Sequence, residues 1–206
     1  MPTHRAPDPD ARVRDAERTR RGLLEAAFDE FSTRGFAGAR VGDIAARAGV
    51  NKQLITYYFG GKAGLYEALQ RQWLDREAGF ADPELPLDEL TVRYLRQVLA
   101  DPRGIRLAIW RALSDAAPTP PSTTADDLAD AEKRRARGEI AADLDPAAVR
   151  LAIMGMVVAP VLLPDTAREL FGTEPGTPEF ERHYGEQLRR IVARFAHPKT
   201  EQGEDQ

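Results

Sequence analysis

The sequence of 206 residues contains no cysteine. This absence excludes disulfide bonds, thiolate zinc sites, iron–sulfur clusters and cysteine nucleophiles. Histidine is scarce, and His4, His183 and His197 do not have the spacing of metal ligands. The patterns GxSxG, GxGxxG, HExxH and the P-loop are missing as well. We therefore expect no metal, no cofactor and no enzymatic activity.

Long apolar runs are also missing. The longest stretch without a charge, Leu151 to Leu163, has 13 residues and contains Pro160, whereas a membrane span needs about 20 residues. The N-terminal residues are polar and rich in proline, without the apolar segment of a secretory signal. We expect a cytoplasmic protein without a membrane partner, and we interpret the apolar run as a buried core or interface helix.

The chain has no overall excess of positive charge. Its net charge of −4 argues mildly against nucleic acid as a partner. The charges are unevenly distributed, however, because residues 1–62 carry 11 basic and 8 acidic side chains, and residues 63–206 carry 18 and 25. A modestly basic head on an acidic body is the asymmetry expected when only one end meets phosphate. The acidic total therefore does not exclude DNA.

Apolar residues recur at helical spacing along almost the whole chain, and alternating strand patterns are missing. We predict an all-α fold of about nine helices. In the first helix, Leu24, Ala27, Phe28 and Phe31 would form the buried stripe and Gly35 the C-terminal stop. The predicted helices begin near residues 12, 41, 51, 62, 88, 102, 125, 145 and 177.

The segment from Val41 to Lys62, VGDIAARAGVNKQLITYYFGGK, is typical of a helix-turn-helix. Two short helices would be joined by a tight turn around Gly49, with Asn51 as the N-cap of the second helix. Small side chains at Ala45 and Ala48 would allow the two helices to cross. On its own, this pattern leaves DNA binding and an unspecialised helical hairpin equally open.

The second helix of such a pair would lie in the major groove, with its first residues toward the base edges. Lys52, Gln53 and Thr56 are the predicted base contacts, since an ammonium, an amide and a hydroxyl all bond to base edges. The alternative for these residues is ordinary solvated surface. The predicted phosphate contacts are Tyr57, Tyr58 and Lys62, and the alternative for the two tyrosines is core packing beside Phe59.

The stretches RTRRGLLEAAFDEFSTRGF and VGDIAARAGVNKQLITYYFGGKAGLYEAL resemble the DNA-binding module of the tetracycline-repressor (TetR) type of bacterial transcriptional regulators. The resemblance covers about residues 17 to 70. It implies a homodimer on a palindromic, double-stranded operator and an all-helical C-terminal half that binds an unknown small-molecule effector. We accordingly expect a ligand-released repressor with four parts: an N-terminal arm (1–11), a helix-turn-helix domain (12–61), a ligand-binding and dimerisation domain (62–198) and a tail (199–206).

The candidate contacts above occupy the positions of the family's base-facing and phosphate-facing residues, with some departures. Thr56 stands where many members have tyrosine, and Gly42 where many have a polar or basic groove contact. Arg40 lies close to Gly42, and we expect it to supply a phosphate contact in its place. Ala39 and Arg40 also replace the usual Ser/Thr cap. These departures concern the operator sequence rather than the module.

The second half of the chain supplies candidates for a pocket and for a dimer interface. Aromatic and methionine side chains commonly line such pockets, although each residue on its own is more typical of a core; the pocket candidates are Trp73, Tyr94, Trp110 and Met154. The apolar run and the stripe of the last helix predict an interface, with the monomer core as the alternative. The interface candidates are Met154, Val158, Val161, Tyr184, Leu188, Ile191 and Phe195.

Two further patterns have alternative interpretations. Asp126, Asp127 and Asp130 match the DDxxD magnesium motif of isoprenoid synthases, but Thr124 as an N-cap with carboxylates in a first helical turn explains them better. A basic N-terminal arm would contact DNA or be a solvated tail; its arginines are Arg5, Arg12, Arg14, Arg18, Arg20 and Arg21. The alternative for the whole protein is a non-catalytic helical adaptor that binds protein rather than DNA.

Overall fold

The computed structural model describes residues 9–80, 82–114 and 124–196, and side chains within 13–76, 82–114 and 125–196. These residues form ten α-helices and no strand, which confirms the all-α prediction. The helices are α1 (Pro9–Gly38), α2 (Val41–Arg47), α3 (Gln53–Phe59), α4 (Lys62–Phe80), α5 (Leu87–Ala100), α6 (Arg103–Ala112), α7 (Thr124–Ala136), α8 (Pro146–Leu162), α9 (Pro164–Phe171) and α10 (Pro178–Ala193).

The helix that the sequence prediction lacked is α9, which occupies a stretch expected to be loop. It begins at Pro164, where proline suits a first helical position, and ends at Gly172 in the left-handed conformation. None of its residues is buried, and Leu170 is 76% exposed. In the described part of the chain no single helix has the length and apolar composition of a membrane span. Helices α8 and α9 reach that length and composition only when they are taken together, and the chain bends by 91° between them.

The described residues divide into two compact units. The first contains residues 9–75 and 106–114, and the second contains residues 76–80, 82–105 and 124–196. The first unit is therefore larger than the predicted helix-turn-helix domain, which ended at residue 61. Leu65, Tyr66 and Leu69 of α4 are buried in the first core, and α6 adds Leu107 to it.

The core of the first unit forms around one face of α1. Leu23, Ala27, Phe28 and Phe31 are buried there, whereas Leu24, expected in the stripe, is half-buried. The Phe31 ring meets the Tyr66 ring edge-on, with centroids 5.0 Å apart. Burial raises the pKa of the Tyr66 hydroxyl, while Arg111 and a hydrogen bond with Gln70 act in the opposite direction.

Gly35 ends the regular part of α1, as the sequence predicts. Its backbone has φ 67° and ψ 174°, and the chain continues in one further turn to Gly38. A Cβ atom here would lie 2.9 Å from two ring atoms of Trp110. Glycine is therefore required for two reasons: L-residues rarely adopt this φ, and the indole of α6 occupies the space that a side chain would need.

In the second unit, α5 packs against α8 and α10, and α7 packs against α8. The buried residues of α8 follow a single stripe at spacings of three and four: Pro146, Val149, Ile153, Val157 and Pro160. Other apolar residues of α8, among them Leu151 and Met154, are exposed. An almost wholly apolar helix therefore buries one face within the chain and leaves another uncovered.

A buried arginine connects the segment before α5 to α7. Arg134 is 1% exposed. Its Nε atom donates to Asp130 at 2.8 Å, and Nη1 donates to Glu139 and to the Leu85 carbonyl, both at 2.9 Å. The same carboxylate of Glu139 accepts the backbone N–H of Leu87 at 2.8 Å and so caps the start of α5. A guanidinium can satisfy this many acceptors at once because it has five N–H donors.

Asp101, at the end of α5, should make stability depend on pH. Arg103 donates to both of its carboxylate oxygens at 2.8 Å, and these hydrogen bonds hold the pKa of Asp101 below its ordinary value. The stabilisation is therefore present at neutral pH and is lost as the pH falls through the lowered pKa of the folded state. We expect Asp101→Asn to cost about 1–2 kcal/mol at neutral pH and progressively less in acid.

Urea unfolding followed by circular dichroism, from neutral pH down to the lowest pH at which the wild type stays folded, measures this difference. Asp143→Asn is the control, because Asp143 is exposed and makes no ion pair or hydrogen bond within the described residues. A constant gap between Asp101→Asn and wild type over the whole pH range would contradict the assignment.

Candidate nucleic-acid interface

Residues 40–60 form a helix-turn-helix in the first unit. The connection between α2 and α3 turns at Gly49, where φ is 67°. The Asn51 carboxamide oxygen accepts the backbone N–H of Gln53 at 2.9 Å, so Asn51 caps the start of α3 with its side chain. Ile44 and Ile55 are buried in the common core. These contacts hold the exposed face of α3 in a defined orientation within the unit.

The first turn of α3 presents polar groups on open surface. Lys52, Gln53 and Thr56 are exposed, whereas Ile55 between them is 1% exposed. Among the described residues, the ammonium of Lys52 and the amide of Gln53 have no hydrogen-bond partner. A cation and a donor–acceptor amide on one helical face are groups that bond to base edges in a major groove. The exposed face at the start of α3 therefore carries the hydrogen-bond donors that recognition of base edges requires.

The two tyrosines of α3 have different environments. Tyr57 is 79% exposed, so its hydroxyl is accessible. Tyr58 is half-buried against the first core, and its ring meets that of Tyr57 edge-on at 4.9 Å. Core packing, the alternative to a phosphate contact, therefore accounts for part of the Tyr58 side chain but not for Tyr57.

Lys62, at the start of α4, is held by the end of α1. Its Nζ atom donates to the Ala37 carbonyl at 3.3 Å and lies 4.9 Å from the centre of the Phe36 ring. An ammonium has three N–H donors, so this bond leaves donors for another acceptor. Lys62 therefore anchors the turn between α3 and α4 and still presents a positive charge.

Arg40 is the exposed cation at the start of α2, and its side chain has no partner in the described part of the chain. Two nearby arginines, in contrast, form ion pairs within the unit. Arg34 pairs with Glu30 at 3.2 Å and with Asp43 at 3.1 Å. Arg47 pairs with Asp29 at 3.6 Å. A free guanidinium at this position is suited to bind a phosphate.

Glu30 performs a role that sequence reasoning missed. This residue of α1 is 3% exposed, and its carboxylate accepts the backbone N–H of Arg40 at 3.5 Å. It supplies a carboxylate where the usual Ser/Thr cap is replaced, and negative charge is favourable at a helix N-terminus. The only signal in the sequence was the absence of the cap, because the contact joins residues ten positions apart.

The N-terminal arm lies mostly outside the described residues, since these begin at residue 9. The helix begins at Pro9, so residues 9–11, expected in the arm, are helical. Of the predicted basic residues, Arg18 forms an ion pair with Asp15 at 3.1 Å, and Arg20 lies 5.5 Å from the centre of the Phe59 ring. Arg14 and Arg21 are exposed on α1.

The structure separates the four pocket candidates. Tyr94 lines a cavity in the second unit. Trp73 packs against Phe28 in the first unit, with ring centroids 5.9 Å apart, and Trp110 covers Gly35 there. Met154 is exposed on α8, outside the residues that line this cavity. Helical spacing predicts an apolar environment for all four side chains, but it does not identify the part of the protein that each side chain contacts.

The interface candidates also fall into different environments. Met154 and Ile191 are exposed, while Val158 and Val161 are half-buried. Leu188 is fully buried between helices of the second unit, so we correct its assignment: it is a core residue. Two further candidates also pack on this core. They are Tyr184, whose hydroxyl donates to the Met156 carbonyl at 2.7 Å, and Phe195.

The aspartates of the DDxxD match are largely engaged by arginines. Asp127 accepts a bond from Arg150 at 3.0 Å, and Asp130 accepts one from Arg134. Asp126 and Asp127 lie in the first turn of α7, as predicted, while the side chain of Thr124 lies outside the described residues. Over the ranges that the structure describes, no group of three or more potential ligand residues is arranged to hold a metal ion.

Comparisons with known proteins match the region just described. Residues 23–69 match the family model for bacterial regulatory proteins of the tetR family. The chain is 38% identical over 103 residues to the HTH-type transcriptional repressor SCO4008 of Streptomyces coelicolor, covering 49% of this chain and 53% of that protein. It is 36% identical over 112 residues to the HTH-type transcriptional regulator RutR of Escherichia coli, covering 51% and 53%. The chain thus spans about half the length of these curated relatives.

Solved structures resemble a larger part of the chain. The structure of SCO4942 from Streptomyces coelicolor, described as a transcriptional regulator, has a TM-score of 0.71 at 24% identity and covers 84% of this chain and 97% of its own. A gamma-butyrolactone receptor has a TM-score of 0.57 at 22% identity, covering 87% and 98%. At these identities the likeness shows the fold. The family model thus shows that residues 23–69 are similar to the tetR family of bacterial regulatory proteins, and the solved structures show the same all-helical fold.

Proposed function

We propose that this protein is a DNA-binding transcriptional regulator that binds a palindromic operator as a dimer and is released by a small-molecule effector. The observation that carries the proposal is the exposed first turn of α3, where Lys52 and Gln53 have no partner among the described residues. This turn lies within the part of the chain that matches the family model. Two curated relatives of the chain are named as an HTH-type transcriptional repressor and an HTH-type transcriptional regulator.

The roles of the contacts follow from their chemistry. Lys52, Gln53 and Thr56 would read base edges, because their donors and acceptors lie on the exposed face of α3. Arg40, Tyr57, Tyr58 and Lys62 would bind phosphates and set the register of the helix on the duplex. The positive excess of residues 1–62 is small, so affinity would depend on positioned contacts and on two half-sites bound together.

Dimerisation would use the exposed apolar face of the second unit. Met154 and Ile191 are uncovered there, and Val158 and Val161 lie half-exposed along α8. In a dimer on a palindromic operator, the two α3 helices would enter successive major grooves about 34–36 Å apart. The effector would favour a state with a different separation, which requires only that it bind one state better than the other.

A specific test uses operator DNA selected from random sequence with the purified protein. We expect Arg40→Ala to weaken binding to all sequences and to lower the slope of log affinity against log salt by about 0.9, the contribution of one phosphate contact. Gln53→Ala should cost about 1–3 kcal/mol at one base position and relax the preference there. Fluorescence anisotropy over a range of salt concentrations measures both effects.

The control is Arg190→Ala, which removes an exposed arginine of α10 in the second unit and should change neither quantity. Equal effects of Arg40→Ala and Gln53→Ala on every sequence would refute the division of roles. The absence of any salt-dependent DNA affinity would favour the alternative of a helical adaptor that binds protein.

A further inference from the structure

The second unit contains a cavity of about 290 Å³ between α5, α7 and α8. This volume lies just below the usual range of small-molecule sites, roughly 300–1,000 Å³, so the cavity suits a small ligand. Aliphatic side chains and one aromatic ring form its apolar wall: Leu87, Leu90, Tyr94, Ile140, Val149 and Ile153. The wall fits a ligand with an apolar body.

The charged groups that line the cavity are unequal in number. Four aspartates are present, Asp82, Asp126, Asp127 and Asp130, against the guanidiniums of Arg134 and Arg150. The lining therefore carries a net charge of −2. The imbalance is local, because these residues come from the short segment before α5 and from α7 and α8.

The guanidiniums of the two arginines already donate hydrogen bonds to other groups of the protein. Arg134 donates to Asp130, to Glu139 and to the carbonyls of Leu85 and Asp82. Arg150 donates to Asp127 at 3.0 Å. A carboxylate ligand would therefore have to displace existing bonds of Arg134 before it could bind there, which disfavours an anion.

One carboxylate remains available to a ligand. Asp126 is exposed on the first turn of α7 and makes no ion pair or hydrogen bond within the described residues. Asp82 accepts the backbone N–H of Glu84 at 3.0 Å and lies 3.8 Å from Arg93. A positive group near Asp126 would gain Coulomb energy without breaking a contact of the protein. The Tyr94 ring adds an aromatic face, to which cations are also attracted.

We propose that this cavity binds an organic cation, a small molecule with an apolar body and one amine or ammonium group. The apolar body would pack against the apolar side chains of α5 and α8 that line the cavity, and the positive group would lie beside Asp126 at the start of α7. The regulatory meaning of such binding rests on the function proposed above, since the cation would then be the effector. The binding itself is a property of the second unit.

Three probes with the same carbon skeleton test the charge preference: 4-phenylbutylamine, 4-phenylbutanol and 4-phenylbutyrate. Isothermal titration calorimetry on the full chain without DNA should give the tightest binding for the amine and the weakest for the carboxylate. Asp126→Asn should weaken amine binding about fivefold, the effect of one exposed charge at close range, and leave the alcohol unchanged. Asp143→Asn, an exposed aspartate outside the lining, should alter neither.

Each contrary result overturns the assignment. It fails if the amine does not bind at millimolar concentration, if the alcohol or the carboxylate binds as tightly as the amine, or if Asp143→Asn weakens amine binding as much as Asp126→Asn. Operator affinity is measured separately with and without the amine. An amine that binds the wild type but leaves operator affinity unchanged would refute ligand release in the proposed function while supporting the cavity assignment.

Discussion

Gly64→Ala should abolish the folded first unit. A Cβ atom at this position in the first turn of α4 would overlap the carbonyl oxygen of Phe59 and lie 3.0 Å from its carbonyl carbon. Both atoms belong to the backbone at the end of α3, so the clash cannot be relieved by a side-chain rotation. The two helices would have to separate, which would open the core around Ile55 and Leu65. We expect a loss of more than about 4 kcal/mol.

Tryptophan fluorescence measures this loss, because both tryptophans of the chain, Trp73 and Trp110, belong to the first unit. The urea transition followed by fluorescence should move to a much lower concentration, and binding to the selected operator should disappear. Gly22→Ala is the matched control: Gly22 lies inside α1, and a Cβ atom added there would have no neighbour within 4 Å. Alanine there should stabilise by about 1 kcal/mol. A wild-type midpoint for Gly64→Ala would disprove the overlap.

Arg134→Met should have the largest effect in the second unit. The substitution keeps an unbranched apolar stem but removes the donors that Asp130, Glu139 and the Leu85 carbonyl now accept. Removing one partner of a buried ion pair costs more than the pair contributes, because the remaining groups lose their compensation. Asp130 and Glu139 are partly exposed, so water can replace some of these bonds. We expect a loss of about 3 kcal/mol.

Urea unfolding followed by far-ultraviolet circular dichroism measures this change in the free energy of unfolding. Arg134→Lys should fall between wild type and Arg134→Met, since an ammonium keeps the charge but has fewer donors. Arg190→Met is the control: Arg190 forms an exposed ion pair with Glu186 on the same helix, which is worth about 0.5 kcal/mol. Equal losses for Arg134→Met and Arg190→Met would show that the buried network does not stabilise the unit.

Much of the helix-turn-helix could be predicted because its determinants are local. Asn51 caps α3 through a bond to a residue two positions away. Gly60 ends the helix in the left-handed conformation, and burial of Ile55 turns Lys52, Gln53 and Thr56 outward. Capping and helical periodicity act within a few residues, so the amino-acid sequence contains them directly. Whether these residues bind DNA remains the proposal that operator binding tests.

The rest of the candidate sites depended on contacts between distant parts of the chain. Trp110 and Tyr94 have similar apolar character, yet one covers Gly35 and the other lines the cavity of the second unit. Leu188 belongs to a stripe expected at a dimer interface, but it is fully buried within the second unit. Helical periodicity indicates that a side chain faces something apolar, and it does not identify the partner.

The sequence by itself determined the all-helical class, the helix-turn-helix and the polar face of α3, because propensity, capping and spacing operate over one or two turns. Its lack of cysteine and its charge asymmetry likewise need no structure. Only the tertiary structure decided that the Glu30 carboxylate meets the backbone N–H of Arg40 before α2, and that Arg134 binds the segment before α5. It also decided that aspartates outnumber arginines around one cavity. These features bring together residues that are far apart in the chain, and packing of the helices, rather than local preference, determines which of them meet.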